Sequence, residues 1–277
     1  MLYGIHKMKK KNGIMHSIAA APHTFWAFLF ILMPLFIVLY YAFTDENGAF
    51  TLENVSSLSE YMQIFGLSIE LSVIATFICL LVGYPLAYII ARAKPHHQKI
   101  FIMLLMLPMW TNLLIRTYSI MAILDDGGFL NSLFKTSFHI VGTKGAVIFG
   151  MVYDFLPYMV LPIYTCISKI DKNMWEAATD LGCNSIKTLT KVIFPLSLSG
   201  VISGVTMVFV PSISTFYISQ KLGGGTFELI GDTIERQFVM GAYNAGAAIS
   251  LVMMVLIIIS LGIMNKFTEE TSGGIIP

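Results

Sequence analysis

An all-α polytopic membrane protein with six transmembrane helices is the fold class this sequence predicts, on three observations. Its 277 residues are 56% hydrophobic and 12% charged, a balance far from that of soluble globular domains. The apolar residues fall into runs of about twenty, which at ~1.5 Å rise per residue span roughly 30 Å of hydrocarbon. Lysine and arginine gather at alternate ends of those runs.

The elements follow in order. Residues 1–23 form a basic tail with Lys7, Lys9, Lys10 and Lys11. The first span, 24–43, exceeds the apolar core of a signal peptide and precedes no small-residue cleavage pattern, so it reads as an uncleaved span. Thr44 to Ser68 carries Asp45, Glu46, Glu53 and Glu60 without a basic residue, and is expected outside. The second span, 69–91, contains Gly83 and Pro85, which permit a bend. Arg92, Lys94 and Lys99 follow at once and are expected in the cytoplasm.

The third span, 100–124, holds Pro108, Trp110, Asn112 and Arg116. An arginine at this depth costs about 2.5 to 3.5 kcal/mol on insertion scales and must face protein or water. Residues 125–143 predict a turn and a short amphipathic helix on the outer surface. The fourth span, 144–167, places Asp154 between Tyr153 and Phe155, ahead of Pro157 and Pro162. A buried aspartate asks for a partner: Arg116, another subunit, or a cation in passage. The fifth span, 196–219, has Gly200 and Gly204 at the spacing that lets helices approach closely. Residues 220–244 are expected outside, the sixth span covers 245–264, and 265–277 form a cytoplasmic tail. On these assignments twelve basic residues lie on the cytoplasmic side and four outside, with Arg116 within a span.

Between the fourth and fifth spans lies a polar interruption, 168–195. Asp171 is placed to cap a short helix with Trp175, Ala178 and Leu181 on one face, and Gly182 supplies the left-handed residue that ends it. Ser185 is placed to cap a second helix, with Ile186, Leu189 and Ile193 along one side and Lys187 and Lys191 on the other, up to Pro195.

Glu176-Ala177-Ala178, then Gly182, then Val192-x-Phe194-Pro195 resembles the EAA signature of ABC importer permeases. Val192 and Phe194 stand where that family more often has Ile and Leu, and both remain apolar. The resemblance implies a type I importer permease (MetI-like) fold, with this loop as the helix that couples to a separate ATPase through Glu176, Ala177, Ala178, Asp180, Gly182 and Pro195. From about Pro34 to Met264 the chain is also similar to the PotB-type spermidine/putrescine permease subunits, in Gly83–Ala87, Pro108–Tyr118, Leu156–Tyr164, Asp171–Gly182 and Leu222–Phe238. That similarity implies four kinds of partner: a PotC-like second permease, two copies of a PotA-like ATPase, a PotD-like extracytoplasmic polyamine-binding protein, and the lipid bilayer of a bacterial cell membrane. It also implies that ATP-Mg is used by the partner ATPase and that this chain binds no cofactor.

A polycation in passage needs carboxylates, aromatic faces and amide oxygens of modest affinity. Trp110, Asn112, Tyr153, Asp154, Phe216 and Tyr217 are the candidates. Each has a plainer alternative: interfacial anchoring for Trp110 and Tyr217, ion pairing for Asp154. The resemblance leads one to expect an acid just after Tyr217-x-Ser219, where Gln220 stands instead. Arg116 is suited to fixing helices or bonding carbonyls.

Other classes find little support. No G-x-x-x-x-G-K-[ST] pattern occurs, so energy from ATP comes from another chain. A net charge of +1 without a large basic block argues against nucleic acid. Cys79, Cys166 and Cys183 do not make a disulfide framework, and His96 and His97 lack metal-ligand spacing. The rival readings are a permease for iron, sulfate, phosphonate or thiamine, and a membrane scaffold or sensor.

Overall fold

The computed structural model describes residues 21–134 and 139–273. Most of the basic tail, Lys135 and the end of the chain lie outside the described residues, as do some helical side chains, Glu176 among them. The described chain is helical throughout apart from turns and one isolated bridge, Thr44 to Phe50. Four of its helices are long and apolar enough to cross a membrane, or up to six if each of two bent pairs is one span.

Helix α1 (Ala21–Ala42) includes a π turn at Phe28–Leu32. Helix α2 (Met62–Arg92) continues helical turns that begin at Glu53 and runs on through Pro85. It thus starts before Ile69, because the polar residues ahead of that position are as compatible with helix as with loop. Helices α3 (Pro95–Met106) and α4 (Leu113–Leu124) meet at 94° across a 3-10 turn, Leu107–Trp110. The third apolar run is therefore a bent pair rather than one rod. Pro108 and the extended residues Thr111 and Asn112 make the break.

Helix α5 (Lys144–Ser168) is continuous despite Pro157 and Pro162. After it come α6 (Lys172–Asp180), then α7, which opens with Ser185–Thr188, contains a π turn at Leu189–Ile193 and ends with Phe194–Leu196. Helix α8 (Leu198–Ile213) departs from α7 at 71°. Three further helices follow: α9 (Tyr217–Leu222), α10 (Ile230–Val239) and α11 (Tyr243–Gly273).

The chain divides into two compact units. The smaller joins the segment ending at Leu58 to Gln237–Met253. There Ala42, Ala247 and Ala248 are buried together, and Asn244 Nδ2 donates to the Thr44 carbonyl at 2.6 Å. The larger takes Ser59–Arg236 and the residues from Met254 onward. Its core is the packing of α2, α5 and α8 on one another, with Cys79, Ala87, Met159, Ile163, Val201 and Val208 buried.

Glycine decides how close these three helices come. A Cβ at Gly200 would lie 2.9 Å from the Pro162 carbonyl oxygen, and one at Gly204 would lie 3.0 Å from that of Met159. Tyr84 is bonded to Ser197 at 2.9 Å, tying α2 to the corner between α7 and α8. A second apolar cluster gathers Leu71, Ile120, Val147, Met151, Ile218 and Leu222. It fixes α4 and α9 against α2 and α5, where the charged groups described next are found.

Candidate functional site

The segment from Ser168 to Pro195 forms a two-helix knob. Asp171 Oδ1 accepts from the Asn173 amide at 3.0 Å, capping α6 as its position requires. Gly182 has φ +76°, and the Cys183 amide returns to the Ala178 carbonyl at 3.0 Å, closing the helix end. The second cap differs from expectation. Asn184, not Ser185, occupies it, with Asn184 Oδ1 accepting from the Lys187 amide at 2.8 Å, and Ser185 is the first helical residue. Asparagine one residue earlier offers the same acceptor, which sequence spacing alone does not separate.

One side of the knob is anchored. Trp175 lies tilted against Tyr88 with ring centroids 5.6 Å apart, and the Arg92 guanidinium lies 5.3 Å from the Trp175 ring. Ala178 is buried. Gln98 Nε2 donates to the carbonyls of Ala91 and Ala93 at the end of α2, while Tyr164 donates to its Oε1. A cleft lined by Arg92, Lys94, Gln98, Trp175 and Asp180 runs between these elements.

The other side is open. Leu181 is 85% exposed and Ile186 71% exposed, and among the described residues nothing lies within 4 Å of where a Cβ on Gly182 would sit. Solvent-facing leucine and isoleucine beside a left-handed glycine make a small apolar projection suited to another protein's groove. Asp180 is exposed, Ala177 is exposed, and Pro195 lies in the first turn of the last segment of α7.

A different arrangement occupies α4, α5 and α9. Arg116 and Asp154 form an ion pair with side chains almost fully buried. Arg116 Nη1 also donates to the Pro108 carbonyl at 2.6 Å, and Thr111 Oγ1 donates to the same oxygen at 2.7 Å. Arg116 therefore fastens the 94° break to α5. Its guanidinium is 6.0 Å from the Tyr153 ring.

Beside this pair, Tyr118 and Tyr217 meet edge to face at 6.1 Å. The Lys221 ammonium lies 5.1 Å from the first ring and 5.7 Å from the second. Tyr118 and Lys221 were not among the residues that sequence reasoning selected. Lys221 had a signal, because it is one helical turn beyond Tyr217, whereas Tyr118, two residues beyond Arg116, shares no helix face with it.

The remaining candidates take other places. Asn112 Oδ1 accepts from the Leu114 amide at 2.8 Å, so its oxygen caps α4. Trp110 is 73% exposed, and Phe216 is exposed at the start of α9. Gln220 lacks the expected carboxylate, yet acids come from α10. Gln220 Nε2 donates to Glu235 Oε2 at 3.1 Å, and Ser219 Oγ donates to Asp232 Oδ1 at 2.8 Å. Asp232 Oδ2 accepts from the Leu229 amide at 2.8 Å. Burial pushes the Asp232 carboxyl up to about 6, against the pull of these bonds.

Residues 18–270 match the family described as "Binding-protein-dependent transport system inner membrane component". The chain belongs to that family. Among curated relatives, the permease is 35% identical over 281 residues to the spermidine/putrescine transport system permease protein PotB of Haemophilus influenzae, covering 95% of this chain and 98% of that one. It is also 35% identical over 245 residues to the protein of that name from Escherichia coli K12, covering 83% and 89%.

Solved structures agree on the fold. A chain of a bacterial ABC transporter that imports the acidic polysaccharide alginate superposes with TM-score 0.79 at 14% identity, covering 96% of the permease and 98% of that chain. The MetNI methionine transporter in an inward-facing form gives TM-score 0.59 at 14% identity, covering 76% and 95%. The permease is thus a multi-pass inner-membrane component of an ABC importer, a non-enzymatic subunit without a cofactor of its own, that operates with a separate ATPase and a binding protein.

Proposed function

We propose that the permease carries polyamines, spermidine or putrescine, across the cell membrane as half of a heterodimeric pore. The observation that carries this reading is the 35% identity, sustained over nearly the whole of both chains, to a permease named for that cargo. The site chemistry agrees. The tyrosine faces of Tyr118 and Tyr217 suit an alkylammonium chain bound loosely enough to move on, while Asp154 and Asp232 are already engaged within the chain.

In this reading the other half of the pore is a PotC-like permease. Two PotA-like ATPases dock on the knobs, and a PotD-like binding protein delivers the cargo outside. The knob and both termini face the cytoplasm, in keeping with the excess of lysine and arginine assigned to that side. Closure of the ATPases pushes Leu181, Gly182 and Ile186, and Trp175 passes the movement to the end of α2.

Uptake tests the cargo. Cells lacking their own polyamine importers, given this permease with its neighbouring transport genes, should accumulate labelled spermidine or putrescine. Accumulation of sulfate or thiamine instead would sink the cargo reading. Orientation has its own test through Cys183, partly exposed on the knob. A membrane-impermeant maleimide should label it in inside-out vesicles and not in intact cells.

A further inference from the structure

Two cations meet aromatic rings in this region, and they are held in opposite ways. Arg116 has a buried carboxylate as counter-ion. Lys221 has none, since no carboxylate lies within 4 Å of its ammonium among the described residues. Two tyrosine rings at 5.1 and 5.7 Å are its seat. The rings come from different elements, α4 and α9, so the pair is made by the fold and not by a helix turn. Lys221 itself stands on α9, one turn from Tyr217, and its four-carbon stem lets it leave without moving the backbone. Tyr118 is 46% exposed, which leaves the seat within reach of a solute.

We infer that Tyr118 and Tyr217 form an ammonium-binding subsite, and that Lys221 is its tethered occupant, displaced when a primary alkylammonium of the cargo arrives. The inference rests on the cationic cargo proposed above. A lysine ammonium and the end of a diamine are the same chemical group on the same kind of methylene chain. The rings that hold one accept the other with little rearrangement. An occupied seat also leaves no bare aromatic face for other cations while cargo is absent. The release of Lys221 then places a positive charge near the arriving amine and favours its onward movement by like-charge repulsion.

A tethered competitor lowers the apparent affinity of the seat by the fraction of time the seat is free. For a partly exposed cation over two rings, that fraction predicts about a fivefold effect. The test uses the assembled complex in lipid nanodiscs, without binding protein, and titrates tetramethylammonium chloride by calorimetry. K221M should bind the probe about fivefold more tightly than wild type, K221R should not, and Y118A added to K221M should remove the gain. Equal binding by K221M and wild type, or a gain that survives Y118A, overturns the subsite.

Reductive methylation supplies a readout that needs no variant. Tetramethylammonium, which has no N–H to consume the formaldehyde, should speed the labelling of Lys221 in the wild-type complex, and an unchanged rate would count against displacement. The two readings fail separately. Wild-type cells that take up no polyamine refute the cargo, while the seat is still judged by tetramethylammonium. Polyamine uptake with no response at K221M refutes the seat alone.

Discussion

The knob between α5 and α7 and the charged cluster among α4, α5 and α9 answer the same problem in opposite ways. Both place unfavourable groups where the isolated chain gains little from them. At the knob the awkward groups are apolar and exposed, Leu181 and Ile186, and the chain supplies nothing to cover them. In the cluster they are charged and buried, Arg116 and Asp154, and the chain supplies each with the other. In the proposed function the knob is an interface that waits for a second protein. The cluster is complete, and its cations are its own. On that proposal the permease needs its partners for motion, while the buried pair Arg116 and Asp154 is supplied from within the chain.

Unbalancing the cluster should have the largest effect. Asp154→Leu leaves the Arg116 guanidinium buried without a counter-ion, at about 3–5 kcal/mol. The expected result is a sharp fall in membrane-inserted protein, measured by fluorescence-detected size exclusion. Replacing both residues, Arg116→Leu with Asp154→Leu, should recover much of it, since an apolar pair of similar volume has no charge to strand. No recovery in the double variant would mean that the ion pair does more than balance itself, and the contrast with the knob would weaken.

At the knob the expected effect is on coupling and not on folding. At Gly182→Trp the Cβ meets no described residue within 4 Å, though the φ of +76° adds strain. The bulk projects where the ATPase is proposed to sit. Uptake should fall about tenfold, the scale of a lost coupling of 1.4 kcal/mol, while the protein remains in the membrane. Gly182→Ala separates the two causes, because it carries the strain without the bulk. If alanine and tryptophan reduce uptake equally, backbone conformation and not contact is what the glycine provides.

The two regions also differ in how plainly the sequence announces them. The knob is local: cap, apolar face, left-handed glycine and second helix lie within 28 residues, and spacing along one strand of text reveals them. It departs from expectation in the second cap, Asn184 for Ser185, a single-residue shift between two good caps, and in Leu181 and Ile186, which are exposed while Ala178 and Ile193 are buried. The cluster is assembled from afar. Arg116 and Asp154 each signalled a need for a partner by depth alone, and the pairing between them was one option of several. Nothing in periodicity says that Lys221 reaches Tyr118, because that contact depends on how α9 packs on α4. The six apolar runs were legible from composition, and the breaks within two of them were not. A proline in an apolar run can be absorbed, as Pro157 is in α5, or can turn the chain, as Pro108 does where Arg116 takes up its carbonyl.

The smallest predicted effect extends the comparison to a buried carboxylate that has hydrogen bonds in place of a cation. Asp232 is held by Ser219 and the Leu229 amide, and burial raises it to about 6 from a usual value near 4. The folded protein thus keeps a proton that the unfolded chain releases between about pH 4 and 6. Stability contributed here is greatest at low pH and is lost as pH rises through the folded value, the reverse of a salt-bridged carboxylate. Between pH 5 and 7.5 the loss should be about 1 kcal/mol. Thermal unfolding of the detergent-solubilised permease at the two pH values reads it as a difference in midpoint. Asp232→Asn keeps the side chain's shape and removes the titration, so its midpoint should change less between the two pH values than that of the wild type. If both proteins show the same change, the proton responsible resides elsewhere, and the bonds from Ser219 and Leu229 hold Asp232 ionised as effectively as Arg116 would.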